Sequence, residues 1–415
     1  MPHTDPHAPD FLRHHRPFVL YWLARVLFSG SNQIKDVAVG WQVYSLTGSA
    51  LDLGLVGLIQ FLPRLLLTAV AGDMADRHDR RKLAVAAQAL QTLGLATLAI
   101  ASAGGFISRE LIFAIVLILG LAQTFQMPAN AALLPALVPL VALPRALALS
   151  ASAMQAATIV APALGGLLYA FGAPLVYSLT TALLACSTYC LMRLPDVHVP
   201  RTLEGSALER FVEGIRFIRQ RRIIFGAISL DLFAVLFGGA TALLPIIASE
   251  LLQAGPWALG LLRSGPAIGA LGMALWLAHH PLRRSVGRIL YASVAAYGLS
   301  VIAFGLSSNL WLSVFFLALG GATDMVSMVI RQSLVQLQTP DDMRGRVSAV
   351  NSIFIGASNQ LGEFESGLTA AWFGAVPSVL IGGAATLVVV GLWTRLFPQL
   401  MQADTLHDAP DTAKS

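Results

Sequence analysis

Long apolar runs alternate with short polar turns along the whole chain. A helix needs about 20 apolar residues to cross the hydrocarbon core of a bilayer. Twelve runs of that length begin near Phe18, Leu53, Leu83, Leu111, Leu143, Pro174, Ile223, Trp257, Ile289, Trp311, Val347 and Pro377. Each predicts a membrane-spanning helix, so the expected fold is an all-α membrane protein. An even number of crossings puts both chain ends on one side. The longest connection, Arg193 to Arg222, divides the chain near its middle. The expected organisation is a tail over 1–17, a six-helix bundle over 18–193, a linker over 194–222, a second six-helix bundle over 223–398 and a tail over 399–415.

The two halves echo each other, as they do in many secondary transporters. Pro139 and Arg145, near the start of the fifth predicted helix, return 201 positions later as Pro340 and Arg346, near the start of the eleventh. Ala170-Phe171-Gly172-Ala173-Pro174 after the fifth has its counterpart in Trp372-Phe373-Gly374-Ala375-Val376-Pro377 after the eleventh. Arg283, Arg284 and Arg288 after the eighth repeat the basic part of a charged turn between the second and third.

Composition agrees with a membrane assignment. Of the 415 residues 56% are hydrophobic and 12% charged, against about 25% charged in an ordinary soluble domain. The 36 glycines and 21 prolines suit closely packed, interrupted helices. Of the 27 Lys and Arg, 21 fall in the tails and even-numbered connections, and Arg109 alone falls on the opposite side. The other five, Arg25, Lys35, Arg64, Arg263 and Arg331, lie within predicted helices. Basic residues accumulate in cytoplasmic loops, so both termini are expected in the cytoplasm. The net charge of +5 reflects this topology and does not mark a nucleic-acid partner. Within the linker, Leu208, Phe211, Val212, Ile215 and Ile218 at helical spacing predict a short amphipathic helix lying on the cytoplasmic leaflet.

Several chemistries find no support. Cys186 and Cys190 lie one helical turn apart in an apolar run, so they predict packed thiols and not a disulfide framework. The nine histidines lack metal-site spacing, and no phosphate-binding loop occurs. No metal, no cofactor and no enzyme activity are expected. The first 17 residues are polar and lack the apolar core of a cleavable signal peptide.

The turn Gly72-Asp73-Met74-Ala75-Asp76-Arg77-His78-Asp79-Arg80-Arg81-Lys82 packs charge between two apolar runs. Asp76 is placed to cap a helix N-terminus or to pair with Arg80 one turn on. The turn resembles the signature between the second and third helices of the major facilitator superfamily. Gly72, Ala75, Asp76, Arg77, Arg80 and Arg81 match it, while Met74 stands for a Leu and Asp79 for a Gly. In the fifth predicted helix, Ala161, Pro162, Gly165 and Gly166 resemble the superfamily's antiporter motif, with Ala161 where Gly is usual. Plain close packing of small residues would use the same face. The resemblance implies that Asp76 and Arg80 dock at the start of the eleventh helix, near Arg346, to close a cytoplasmic gate. It also implies a bacterial inner-membrane location. Ser45-Leu46-Thr47-Gly48-Ser49-Ala50, Asp76 to Arg81, Leu243-Leu244-Pro245-Ile246-Ile247-Ala248 and Arg344-Gly345-Arg346-Val347 resemble the efflux branch that includes the enterobactin exporter and macrolide efflux proteins.

Ionisable residues inside membrane helices are costly and mark functional sites. Asp36, beside Lys35, Asp231, Asp324, Arg331, Glu363 and Glu365 form the candidate proton-coupling or substrate-cavity set. A desolvated carboxyl gains and loses its proton nearer neutral pH, which is the chemistry of proton coupling. Glu363 and Glu365 point in different directions on a helix, and Glu363 is the one expected to face a cavity. The alternative is that they pair with Arg331 or Arg263 and only hold helices together. Trp41, Phe61, Phe125, Phe233 and Phe315 could line a cavity or face lipid. The expected function is export of a small organic molecule such as a siderophore or drug, by a monomer in exchange for protons. Import by proton symport and a non-transporting membrane sensor or scaffold are the alternatives.

Overall fold

The computed structural model describes residues 11–195, 207–280, 282 and 284–405; side chains at 69, 73, 75–77, 131–132, 207–210 and 341–342 lie outside that description. Every regular element among the described residues is helical. The first half carries α1 (Phe11–His14), α2 (Arg16–Thr47), α3 (Ala50–Arg77), α4 (Arg80–Ala103), α5 (Arg109–Leu137), α6 (Leu143–Tyr169), α7 (Ala173–Met192) and α8 (Ala207–Gln220). The second carries α9 (Arg222–Phe237), α10 (Leu244–Ile246), α11 (Pro256–His279), α12 (Val286–Leu306), α13 (Leu310–Leu337), α14 (Asp341–Phe373), α15 (Ala375–Leu396) and α16 (Pro398–Gln402).

A long helix accompanies each of the twelve apolar runs, and α14 begins six residues before the Val347 start, at Asp341. Among the described residues ten spans are long and apolar enough to cross a membrane, the sixth running from Arg222 through the short turns to Leu251. The long helices not among the ten are α2 and α14. Both carry charge along their length, Arg25, Lys35 and Asp36 in the first and Arg344, Arg346, Glu363 and Glu365 in the second. Prolines sit in the first turn of α2, α6, α7 and α16, where the missing N–H costs nothing. Ser108 caps α5 through Leu111 N at 3.2 Å, and Asn309 caps α13 through Trp311 N at 3.0 Å.

The chain divides into two compact units. One comprises Met1–Gly48, Ile59–Glu204 and Gly255–Ser264, the other Ser49–Leu58, Gly205–Ala254 and Gly265–Ser415. In the first, α2 packs on α6 and α7, and α4 packs on α5 and α7. In the second, α9 packs on α14 and α15, and α12 packs on α13 and α15. The same pairing scheme is thus used twice. The turns repeat as well: Gly172 before α7 and Gly374 before α15 share φ of 106° and 90° with ψ of 152° and 163°. A side chain is strained at such φ, which explains glycine at both places.

Both ends of the described stretch are tied into these units. Phe11 and Leu12 are buried with Leu133, Leu134 and Leu137, and His15 Nε2–H donates to Leu137 O at 2.9 Å. At the other end Gly287 N donates to Ala403 O at 2.9 Å, and Ser285 N donates to Asp404 Oδ1 at 2.9 Å. The last residues thereby satisfy donors at the start of α12 that its own first turn cannot.

Close helix crossings rest on glycine. A Cβ on Gly269 of α11 would lie 1.7 Å from Ala318 O, and one on Gly321 of α13 would lie 2.0 Å from Pro266 O. At Gly272, one turn from Gly269, nothing lies within 4 Å. Gly269→Ala is expected to destabilise the protein by about 1–3 kcal/mol through forced separation of the two backbones. Gly272→Ala should stay within about 0.5 kcal/mol of the wild type. Unfolding followed by intrinsic fluorescence in detergent compares the two, and equal losses would refute this account of the crossing.

Candidate functional site

Three members of the predicted ionisable set come together in the second unit. Asp231 on α9 is ion-paired with Arg331 on α13. Both are buried, at 6% and 2% exposure, so the pair is withdrawn from solvent as well as from lipid. Arg331 Nε has no hydrogen-bond partner, which leaves the guanidinium incompletely satisfied. Asp324 lies two turns before Arg331 on α13, and Asp231, Tyr297, Asp324 and Ser327 line one small pocket. The Tyr297 hydroxyl donates to Gly238 O at 3.0 Å, at the point where α9 stops. There Gly238 and Gly239 lead into a 3-10 turn over Ala240–Leu243, the short α10 and a π turn over Ile247–Leu251. A Cβ on Gly239 would lie 2.7 Å from Gly362 C, so the helix breaks where α14 crosses it.

The two glutamates of α14 separate in role. Glu365 accepts from Thr369 at 2.8 Å, within its own helix. Glu363 reaches another element: Thr241 Oγ1 of the 3-10 turn donates to Glu363 Oε1 at 3.5 Å. Its other oxygen lies against Gly57 of α3, where a Cβ would come within 2.6 Å of Oε2. Gln360 Oε1 faces the same notch, at 3.3 Å from that Cβ position, and is buried without a hydrogen-bond partner. Of the two arginines considered as partners for these glutamates, Arg331 is paired with Asp231. Asp36 lies apart from these groups in sequence and in unit, paired with Lys35 Nζ at 2.7 Å.

The small-residue face of α6 is buried at Ala161, Pro162, Gly165 and Gly166. A Cβ on Gly165 would lie 3.1 Å from Ile34 Cα of α2, and one on Gly166 would lie 2.4 Å from Pro256 O of α11. Gly260 answers from α11 against Pro162 O, and Ser264 Oγ donates to Ile159 O at 2.6 Å. The face packs two neighbours closely.

In the charged turn, Asp79 caps α4 through Arg81 N at 2.9 Å and Lys82 N at 3.3 Å. Asp79, the residue that replaces the family's glycine, is thus the N-cap of α4. Arg81 donates to Met192 O at 2.6 Å, which ties the turn to the end of α7. Gly72 has open space where a side chain would sit. Arg80 belongs to the first turn of α4, and the side chains of Asp76 and Arg77 lie outside the described residues.

Arg346 finds a partner in the linker helix. It pairs with Glu213 of α8 at 2.8 Å, and Gly214 of α8 lies against Arg346 O. Around the pair, Ile218 is buried with Ile224, Val335, Val347 and Val350, and Phe211 and Ile215 pack against them. The linker helix was expected to rest on the membrane surface. Its apolar face is instead covered largely by protein, because the start of α14 offers an apolar surface directly beneath it; Val212 stays 45% exposed. Among the aromatic candidates, Phe61 is buried at 3%, Phe315 is 58% exposed, and Phe233 packs on Trp393 with ring centres 5.2 Å apart.

One polar group was missed in the sequence. Gln91 donates to Gln126, Gln126 Nε2 donates to Gln88 Oε1 at 3.2 Å, and Gln88 donates to Ser187. Ser187 Oγ in turn donates to Ala24 O at 2.6 Å, so α2, α4, α5 and α7 share one buried chain of hydrogen bonds. Uncharged amides inside apolar runs were the available signal, since they too need partners away from water.

Removing one member of the buried ion pair leaves the other uncompensated, at a cost of about 3–5 kcal/mol. Asp231→Asn and Arg331→Met should each show that loss in thermal unfolding. The double substitution Asp231→Leu with Arg331→Met should recover most of it. Additive losses in the double variant would show that the two charges do not compensate each other.

Along residues 5–412 the chain matches the family described as transmembrane secretion effector. It is 24% identical to macrolide efflux protein A of Streptococcus pyogenes, over 90% of this chain and 93% of that one. It is 27% identical to the enterobactin exporter EntS of Shigella boydii serotype 18, over 96% of this chain and 98% of that one. The fold resembles a solved bacterial homologue of the human lysosomal transporter Spinster, with a TM-score of 0.73 at 13% identity, covering 97% of this chain and 100% of that one.

Proposed function

The chain belongs to the transmembrane secretion effector family of the major facilitator superfamily, a family of membrane transporters and not of enzymes, and from that premise we propose that it exports a small organic molecule in exchange for protons. The observation that carries export is the end-to-end likeness to two exporters, one of a macrolide and one of a siderophore. The transported molecule is read accordingly as a siderophore or a drug-like compound.

In this reading the protein is a monomer in the bacterial inner membrane, both termini cytoplasmic, built of two six-helix bundles that alternate access. The twice-used pairing scheme supports the bundles. The tails and linker carry most of the basic residues, which supports the orientation. Gly72, Asp76, Arg77, Arg80 and Arg81 form the cytoplasmic gate, with Arg346 as a second charge that the linker helix holds.

Glu363 is the coupling carboxylate. It meets a hydroxyl on a broken helix and a glycine notch on another, so a change of its charge is felt by two elements besides its own. Discontinuous membrane helices place unsatisfied backbone groups beside transported ions in many secondary transporters. Glu365 keeps a local partner and is a supporting polar group. Asp36, neutralised by Lys35, contributes to the polarity of α2.

Inverted membrane vesicles with an imposed interior-acid pH gradient, supplied from outside with a siderophore or a macrolide, test the reading. Accumulation should depend on the gradient. Glu363→Gln should lose at least about ten-fold of gradient-driven transport while keeping exchange of labelled for unlabelled substrate. Gradient-driven accumulation unchanged in that variant would remove Glu363 from the mechanism. Uptake only in right-side-out vesicles would replace export by import.

A further inference from the structure

The pocket beside the buried ion pair is not used by the mechanism above, and its lining has its own chemistry. Two carboxylates, Asp231 and Asp324, and two hydroxyls, Tyr297 and Ser327, face it. The one guanidinium nearby, Arg331, is paired with Asp231. One negative charge is therefore left over, and it belongs to Asp324, a carboxylate in the middle of a membrane-length helix. A bare charge in such a position is expensive, so a counter-charge is called for. The space is small, with room for about one water molecule, which excludes an organic cation.

We propose that this pocket is a sodium site, with Asp324 as the charged ligand and Asp231, Tyr297 and Ser327 supplying further oxygens. A single positive charge closes the local balance, whereas a divalent ion would exceed it. All the polar groups facing the pocket are oxygens, the ligands that hard cations take, and no sulfur or imidazole is present to select a softer metal. Several oxygens around one cavity are more than a protonated carboxyl alone requires. The Tyr297 hydroxyl is held in place by donating to Gly238 O at the break of α9, so its oxygen is preset toward the pocket. Occupancy would join α9, α12 and α13 at the level of that break. The ionisable groups around the pocket are Asp231 from α9, Tyr297 from α12, and Asp324 and Arg331 from α13; α15, packed on α9 and α12, carries only Arg395, in its last turn.

The inference does not depend on the export reading, because it concerns equilibrium binding without any transported substrate. The test uses the purified full-length protein in detergent and radioactive sodium, with choline chloride holding ionic strength constant. Saturable binding of about one sodium per chain is expected, weakening as protons compete at acid pH. Asp324→Asn should abolish it, Ser327→Ala should weaken it by about three-fold, and Glu213→Gln, which removes a carboxylate elsewhere, should leave it intact. Should Asp324→Asn fail to fold, the wild type alone decides: its melting temperature should be higher in sodium chloride than in choline chloride. Absence of saturable sodium binding at neutral and mildly alkaline pH overturns the proposal. So does a folded Asp324→Asn that binds like the wild type, or a melting temperature that follows pH and ignores sodium, since that behaviour belongs to a carboxyl holding only a proton.

Discussion

A polypeptide in hydrocarbon finds no water for its amide groups, so each crossing must satisfy its own backbone as a helix. The helices must then be held together without the hydrophobic effect that drives soluble folding, since lipid is as apolar as leucine. Close approach of backbones at glycine meets that need, as where Gly321 faces Pro266 O and Gly166 faces Pro256 O. Proline is tolerated under the same regime, as at Pro162 inside α6, where Ser264 Oγ of α11 donates to the nearby Ile159 O at 2.6 Å.

Polar groups set the exceptions to this scheme, and several have partners that limit their cost. The amide chain from Gln91 through Gln126 and Gln88 to Ser187 binds four helices of the first unit without any charge. In the second unit a buried cross-helix contact is made by charge, with Asp231 against Arg331. The halves share a pairing scheme and a turn conformation but have diverged in how their interiors are polarised. The break in α9 belongs to the same unit, and it gathers Thr241, Glu363 and Tyr297 around freed backbone. Chemistry has concentrated where the regular helix gives way.

The linker helix illustrates how a local pattern can set secondary structure while leaving its surroundings open. Its period of apolar residues is that of a helix with one greasy face, and a helix forms. Periodicity states that the face will be covered, and it is silent on the cover. The start of α14 covers much of it, with Glu213 and Arg346 joined at the rim in a half-exposed pair worth about 0–1 kcal/mol. The main contribution at this contact comes from burial of Ile218 and its neighbours, while the ion pair sets register.

What could be read from the residues alone was whatever depends on short stretches of chain. The helical character of the apolar runs, the matched stretches around Gly172 and Gly374 and the packed thiols all follow from local composition and spacing. The ionisable set was also visible, because any charge in an apolar run stands out. Its sorting was not. That Asp231 takes Arg331 and that Glu363 rather than Glu365 reaches across to Thr241 depend on the distance and direction between side chains. Electrostatic partners are chosen by proximity within a few ångströms, and proximity between residues a hundred positions apart exists only once the helices have packed.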